Sequence, residues 1–194
     1  MSHKEIAITL PNWVTKELER IPSIYPSVED RMRYVIRFSQ LNIDYGTGGP
    51  FAAGVFEKET GKLVVMGVNR VIPLNCSTAH AEIVAISMAQ NKLGTYDLGG
   101  PGMPIHQLVV NWRPCVMCYG AVLWSGIRSL VIAGSGSELE TITGFDEGPM
   151  HRNWIKELEK RGIELIDNVL TDEACQVFQC FSERNEFVYN SRLG

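Results

Sequence analysis

No apolar run in this sequence approaches the roughly 20 consecutive residues that a membrane-spanning helix requires. The first residues, MSHKEIAITLPNW, also lack the apolar stretch of a secretory signal peptide. The cysteines number five, an odd count that does not suit a disulfide framework. We therefore expect a protein of the reducing cytoplasm without a membrane partner, in which a disulfide between Cys115 and Cys118 is the least favoured interpretation.

Concentrated basic charge is absent as well. The chain has 18 Lys and Arg against 22 Asp and Glu, and its formal net charge is −4. Proteins that bind nucleic acid usually gather Lys and Arg in a patch. The nearest approach to one, Arg31, Arg33 and Arg37, alternates with apolar residues, and a solvated helix face explains it better than a phosphate-binding track. These features predict a small-molecule ligand and no nucleic acid.

The sequence contains no internal repeat, so its 194 residues predict one domain with its own core. Helical and extended patterns follow one another in the order α-β-β-α-β-α-β-α-β-α. This order predicts a three-layer α/β/α fold with a mixed, mainly parallel five-stranded sheet. The predicted strands are 51–57, 62–71, 107–112, 129–134 and 163–170, with a Gly-rich loop at 134–149 and late helices at 150–161 and 172–184. We expect residues 1–45 to be a helical N-terminal extension and residues 150–194 to be a C-terminal segment.

Two short motifs stand where predicted helices begin: HAE at residues 80–82 and PCVMC at residues 114–118. A CxxC pair at a helix N-terminus places both sulfurs on one side of the first turn, where the helix dipole favours thiolate. Two thiolates and one imidazole leave a tetrahedral zinc with one open position, which is the pattern of a catalytic site. We therefore predict one zinc ion per subunit, held by His80, Cys115 and Cys118.

Glu82 completes a catalytic arrangement with this predicted zinc. Zinc lowers the pKa of a bound water to roughly 7, so that hydroxide is available as a nucleophile at neutral pH. Glu82 lies two residues from His80, where its carboxylate can accept the proton of that water and pass it to a substrate nitrogen. The order H-x-E followed by P-C-x-x-C is the signature of zinc-dependent nucleobase deaminases.

Two other interpretations of the cysteines stay open at this point. A thioredoxin-like redox pair would explain the CxxC spacing but would leave the HAE motif without a role. Cys76, four residues before His80, could supply a fourth ligand and close a structural zinc site, which would make the chain a noncatalytic zinc-stabilised module.

Around these motifs the sequence resembles the cytidine-deaminase-fold superfamily and, within it, the bacterial guanine deaminases. The likeness extends from about Phe51 to Glu147. It includes GPFAAGV (49–55), GVNRV (67–71), CYGAVLWSGI (118–127) and GFDEG (144–148). The resemblance implies the same zinc ligands and the same proton shuttle, Glu82.

The resemblance also implies the residues that contact a substrate. Glu147, with Asp146 as the alternative, would bind the edge of the base or move protons. Further contacts are implied for Phe51, Asn69, Ala81, Trp124, Asp146 and Tyr189. Among these, Asn69 would hydrogen-bond the base, Phe51 would wall the pocket and Trp124 would pack on the purine. Simpler roles remain open, namely core packing for the aromatics, a strand end for Asn69 and helix capping for the two acids.

Two further expectations follow from the resemblance. Guanine deaminases exchange C-terminal segments between subunits, which implies a homodimer in which Tyr189 closes the site of the partner. The family usually has Glu before the Pro-Cys pair, whereas this chain has Arg113. That departure concerns the pocket rim and therefore the substrate more than the zinc chemistry.

The function that these features imply is hydrolytic deamination of guanine to xanthine and ammonia, with aminotriazines of similar shape as additional substrates. Deamination of cytosine, cytidine, adenine or another free base is the first alternative. Deamination of adenosine in tRNA is the second, and the acidic net charge argues against it.

Overall fold

The computed structural model describes residues 7–190, and its central element is a mixed five-stranded sheet. The strands are Ala52–Glu57 (β1), Leu63–Val68 (β2), His106–Val110 (β3), Ser129–Ile132 (β4) and Glu164–Ile166 (β5). Their order across the sheet is β2-β1-β3-β4-β5. β1 is antiparallel to both β2 and β3, whereas β3, β4 and β5 are mutually parallel. Parallel and antiparallel pairings are therefore equal in number, and the sheet is mixed but not mainly parallel.

Helices cover both faces of this sheet, which confirms the predicted α/β/α layers. The helices are Asn12–Leu18 (α1), Val28–Asp44 (α2), Val71–Leu74 (α3), Ala81–Leu93 (α4), Val116–Trp124 (α5), Glu138–Thr143 (α6), Trp154–Glu159 (α7) and Thr171–Glu183 (α8). One face packs against α1, α2, α6 and α8, and the other packs against α4, α5 and α7.

Alternation along the strands produces these two cores. In β3, Val109 belongs to the core under α2 and α8, whereas Leu108 and Val110 belong to the core under α4 and α5. Successive strand side chains point to opposite faces, so a strand covered on both sides is apolar throughout. All of β3 and β4 is buried, including the polar positions Gln107 and Ser129.

Local signals set where the helices begin and end. The Ser27 hydroxyl accepts the amide N–H of Asp30 at 3.0 Å, and this capping interaction begins α2. α4 ends at Gly94, whose φ of +65° is the left-handed conformation that commonly terminates a helix.

Several predicted boundaries are wrong. The segment 134–149 is not all loop, because α6 forms within it. The predicted strand 163–170 is only the three residues of β5, because Asn168 and Leu170 have φ values of +62° and +59° and cannot extend the strand. The strand predicted at 62–71 ends at Val68, and the helix predicted from 150 begins at Trp154.

The helix face of Arg31, Arg33 and Arg37 is also not uniformly solvated. Arg31 is 3% exposed, and its guanidinium donates to the carbonyl of Tyr25 and to the side chain of Gln107. The two arginines that follow it remain on the surface, where each pairs with an acid. Among residues 7–190, no helix combines the length and the apolar character that crossing a bilayer would demand.

Candidate active site

A cavity of about 630 Å³ opens at the end of the sheet where β1 begins and β2 and β3 end. Ligand sites of α/β folds commonly lie at strand ends where helices begin. Here α4 and α5 both begin at this end of the sheet. The lining residues are drawn from four regions of the chain, namely 46–51, 69–82, 110–117 and 145–190.

The predicted zinc ligands meet in this cavity. One ligand atom from each of His80, Cys115 and Cys118 lies within 4.8 Å of the others. His80 and Cys115 are the N-cap residues of α4 and α5, with extended backbone angles that direct their side chains away from the helices. The ring nitrogen Nδ1 of His80 lies 3.5 Å from the sulfur of Cys115. A histidine and two cysteines at this spacing match the donor set that tetrahedral zinc prefers.

The group has no fourth protein ligand within the part of the chain that the structure describes. Cys76, which could have closed a structural site, instead shares a hydrogen bond of 3.3 Å with the hydroxyl of Thr78. Three protein ligands leave one position for water or substrate, which distinguishes a catalytic zinc site from a structural one.

The three ligand side chains differ in their tendency to lose a proton. The hydrogen bond from Cys118, followed by that from His80, lowers the pKa of Cys115 to about 4. The same pairing and burial raise the pKa of Cys118 well above its usual value. Burial lowers the pKa of His80, but its hydrogen bond with Cys115 and three nearby negative charges outweigh that effect and raise it to about 9. One ligand is thus already a thiolate at neutral pH.

Two carboxylates face this cluster. Glu82, in the first turn of α4, is 6% exposed, and burial followed by the charge of Cys115 raises its pKa to about 7. Burial, followed by the charges of Cys115 and Glu82, raises the pKa of Glu147 to about 8. The amide of Val116 donates to the backbone carbonyl of Glu147 at 3.1 Å, so the start of α5 holds the segment that carries this acid. Two carboxyl groups with pKa values near neutrality are suited to proton transfer.

Asn69 lies at the end of β2 with its side chain on the cavity. Its carbonyl Oδ1 accepts the amides of Gly49 and Val71 at 3.4 and 3.3 Å. The strand-end role and the predicted substrate role are therefore compatible, because the acceptor is occupied by the backbone and the amide nitrogen is left to face a ligand.

Aromatic side chains form the apolar wall of the cavity. Phe51 packs edge-on against Phe145 with ring centroids 5.2 Å apart, and Phe145 stacks on Phe181 at 5.6 Å. Trp112 also lines the cavity and packs against Phe178. Of these, only Phe51 was a predicted contact. Phe145 belongs to the segment GFDEG, and Trp112 stands two residues before PCVMC. Nothing in the sequence indicates that their rings meet Phe181 and Phe178 of α8.

The C-terminal segment forms one side of the cavity mouth. Tyr189 lines the cavity of its own chain. The side chain of Asn190 accepts the amide of Asp146 at 2.9 Å and donates to the carbonyl of Gly144 at 2.7 Å. Asp146 lines the rim, and its carboxylate accepts the amide of Gly148. Asp146 therefore stabilises a turn, and it does not cap α7, which begins later.

Two predicted substrate contacts are not at the cavity. Trp124 is 90% exposed at the end of α5 and lies with Ile83 and Ile86 of α4 in a separate shallow depression, so the prediction that it packs on the purine is wrong. Ala81 is fully buried, and its side chain packs in the core between α4 and the sheet. The helical periodicity that turns Cys115 and Cys118 toward the metal turns Trp124, six residues further on, to another side.

Arg113, the departure from the family pattern, lines the cavity but is paired. Its guanidinium Nη2 lies 3.1 Å from a carboxylate oxygen of Glu140 in α6, and its backbone amide donates to Gly134. The side chains of Arg113 and Glu140 are 13% and 33% exposed. A partly buried pair of this kind presents no free charge of either sign to the substrate.

The fold and this site together define a zinc-dependent hydrolytic deaminase. The cytidine and deoxycytidylate deaminase zinc-binding region matches residues 27–134, which is more than half of the chain. The chain therefore belongs to this deaminase family. The matched region includes α2 and all three zinc ligands.

Individual relatives are more specific. Guanine deaminase of Bacillus subtilis is 30% identical over 161 residues, which span 82% of this chain and 98% of that protein. The solved structure of guanine deaminase from Nitrosomonas europaea has a TM-score of 0.89 at 44% identity, covering 94% of this chain and 99% of that one. The solved structure of a related protein in complex with 2,6-diaminopurine has a TM-score of 0.88 to this chain at 46% identity, covering 96% of this chain and 97% of that one. A tRNA-specific adenosine deaminase of Buchnera aphidicola is 30% identical over 126 residues, spanning 65% of this chain and 76% of that protein.

Proposed function

We propose that this protein hydrolyses guanine to xanthine and ammonia. The observation that carries the proposal is the position of Glu147, a second, partly buried acid that lines the same cavity as His80, Cys115 and Glu82. The similarity to guanine deaminases over nearly the whole chain supports the same substrate.

Zinc held by His80, Cys115 and Cys118 supplies the Lewis acidity that makes a water molecule nucleophilic near neutral pH. Glu82 accepts a proton from that water as its oxygen attacks C2 of guanine. Glu82 then passes the proton to the adjacent ring nitrogen, which acquires electrons as the C2–N3 double bond opens. Glu147, protonated because its pKa is raised to about 8, donates a proton to the amine as the bond between C2 and the amine nitrogen breaks. Glu82 takes the remaining hydroxyl proton as the C2=O bond forms, which gives xanthine and ammonia, and proton exchange with water restores both carboxyl groups.

The remaining lining residues of the cavity select the base. Asn69 presents its amide nitrogen as a donor, and Phe51 with Phe145 and Trp112 offers flat apolar surface to an aromatic ring. A carboxyl group that hydrogen-bonds an exocyclic amine penalises bases that lack one. Aminotriazines that share the amidine edge of guanine satisfy the same contacts, and we propose them as secondary substrates.

A substrate panel tests this proposal. Ammonia release should be measured with zinc-loaded protein and guanine, adenine, cytosine, cytidine, an aminotriazine and transfer RNA. We expect the highest kcat/KM with guanine and measurable turnover of the triazine. Absence of ammonia from guanine would overturn the proposal. Turnover of adenine, cytosine, cytidine or transfer RNA in its place would identify the substrate class of the enzyme.

We also propose that two chains form a homodimer and exchange their C-terminal segments. Trp124, which is 90% exposed, lies with the partly buried Ile83 and Ala121 in a shallow depression between α4 and α5, and an exposed tryptophan in such a place suits contact with a second copy. The described residues after α8 form no regular element, and Phe187 among them is 68% exposed. Within one chain, Tyr189 lines the cavity and Asn190 bonds to Asp146 and Gly144. In the proposed exchanged dimer the same contacts form with the partner, because an extended segment can reach a neighbouring chain.

Light scattering and complementation test the dimer and the exchange separately. Trp124→Lys should convert a dimer to a monomer, and a monomeric wild-type protein would refute the dimer. A Glu82→Gln chain mixed and refolded with a Tyr189→Ala chain should recover activity only if segments are exchanged, since one site then receives both native residues. No recovery in a proven mixed dimer would refute the exchange.

A further inference from the structure

Residues 46–49 form a rim of the cavity that lies directly against Asn69. Gly48 has a φ of +153°, and a side-chain carbon at this position would stand 2.0 Å from the carbonyl oxygen of Asn69. Glycine is therefore needed here both for its conformation and for the close approach of the two backbones. The amide of Gly49 donates to the side-chain carbonyl of Asn69, so the position of the rim and the orientation of this side chain are coupled.

A chain of side-chain hydrogen bonds leads from the N-terminal helix to this contact. The indole Nε1 of Trp13 in α1 donates to the hydroxyl of Thr47 at 2.9 Å. That hydroxyl donates to the side-chain carbonyl of Asn42 at 2.8 Å. The side-chain amide nitrogen of Asn42 in turn donates to the backbone carbonyl oxygens of Gly49 and Asn69, at 2.9 and 3.0 Å.

The chemistry of the donors sets the direction of this relay. An indole N–H can only donate, so Thr47 must accept from Trp13 and use its own proton toward Asn42. The carbonyl of the Asn42 side chain is thereby occupied, and its NH₂ group must face Gly49 and Asn69. Asn42 thereby fixes the backbone of Gly49 and of Asn69. The side-chain carbonyl of Asn69 accepts the backbone amides of Gly49 and Val71, so the NH₂ group of Asn69 is the part that faces the cavity.

Aromatic and polar contacts hold the start of this relay in place. Trp13 stacks on Tyr45 with ring centroids 5.3 Å apart, and it also packs against Phe38 in the core. The guanidinium of Arg70, 8% exposed, donates to the backbone carbonyls of Thr9 and Thr47 at 3.2 and 2.5 Å. The N-terminal segment and the rim are thus joined through both side-chain and backbone groups.

We propose that Trp13, through Thr47 and Asn42, is a positioning residue that orients Asn69 to present its NH₂ group to the substrate. The relay selects substrates with a hydrogen-bond acceptor, such as a ring carbonyl or an unprotonated ring nitrogen, at that point of the cavity. This inference rests on the proposed function because Asn69 contacts the base there. It assigns the N-terminal helix a part in substrate recognition.

Matched variants of the relay test the proposal. Thr47→Val removes the hydroxyl and should raise KM for guanine about tenfold with kcat within twofold of wild type, whereas Thr47→Ser keeps the hydroxyl and should restore KM to within twofold. Trp13→Phe keeps the stacking but loses the N–H, and should raise KM about threefold to tenfold. Trp154→Phe is the control, since Trp154 is 9% exposed at the start of α7 and does not line the cavity.

Hydrogen exchange of the peptide covering residues 42–52 supplies a readout without substrate. Thr47→Val and Trp13→Phe should exchange faster there, with zinc content unchanged. Faster exchange with an unchanged KM would overturn the role in recognition, as would equal KM values for the Val and Ser variants. A loss of zinc or a parallel fall in kcat would mean general destabilisation and would also overturn it. If wild-type protein releases no ammonia from guanine, the proposed function fails, and KM is then measured with whichever panel substrate is turned over.

Discussion

The guanidinium of Arg113 and the carboxylate of Glu140 form an ion pair of 3.1 Å that joins the zinc-binding segment to α6. Arg113 stands two residues before the ligand Cys115, and α6 leads directly into the segment that carries Glu147. The guanidinium Nε and the second carboxylate oxygen of this pair are buried and have no hydrogen-bond partner within residues 7–190. The pair therefore connects the segment that carries Cys115 to α6, the helix that precedes Glu147 in the chain.

Loss of one partner of this pair should destabilise the protein. Glu140→Gln leaves the Arg113 charge without its counterion, and we expect the free energy of unfolding to fall by about 1–3 kcal/mol. The double variant Arg113→Gln/Glu140→Gln should lose less than the sum of the single variants, because it leaves no unpaired charge, whereas each single variant leaves one. Urea titration measures both effects. Glu157→Gln, at an exposed ion pair, is the control, and strict additivity would contradict direct coupling.

Zinc content should depend on His80, Cys115 and Cys118 but not on Cys76. Cys118→Ala removes a thiolate and should reduce zinc well below one ion per chain, whereas Cys76→Ala should retain one. Plasma mass spectrometry of dialysed protein gives the stoichiometry. Zinc loss in the Cys76 variant would mean a closed, structural site and would remove the open position on which catalysis depends.

Glu82→Gln should separate zinc binding from turnover. The amide has nearly the shape of the carboxylate but cannot accept a proton at neutral pH, so kcat should fall by at least about a hundredfold. Zinc content and thermal stability should remain close to wild type, since Glu82 is not a ligand. Full activity in this variant would show that another group moves the proton.

Zinc affinity should rise with pH. In the zinc-free chain at pH 7, His80 is protonated because its pKa is raised to about 9, and Cys118 is a thiol because its pKa is raised, whereas Cys115, with a pKa of about 4, is already ionised. Zinc must therefore displace about two protons, and its affinity should increase with pH. The increase should become less steep as His80 becomes neutral near pH 9, where the Cys118 thiol still has to lose its proton.

Calorimetry in buffers of different ionisation enthalpy counts the protons released, and competition with a chelator between pH 6 and 9 gives the affinity. A binding constant that does not change over this range would mean that the ligands are already deprotonated in the zinc-free protein.

The zinc site and the layered fold were largely predictable. His80, Glu82, Cys115 and Cys118 stand in short motifs in which spacing along a helix start decides which side chains converge, and that information is local. The strands of the sheet core were predicted for the same reason, since alternating or continuous apolar runs report burial directly. One error fell at the end of the predicted strand 163–170, where Leu170 has a positive φ and is the N-cap residue of α8, although the local pattern is that of a strand.

By itself, the sequence determined the metal-binding chemistry, the proton-shuttle candidate and the α/β/α layers, because each depends on residues within one or two turns or strands. Only the tertiary structure decided which side chains share the cavity. Trp124 is turned away from it, Phe145 and Phe181 converge on it, and Trp13 reaches Thr47 across 34 residues of chain. Contacts between distant segments depend on how whole helices pack on the sheet, and no local pattern encodes that geometry.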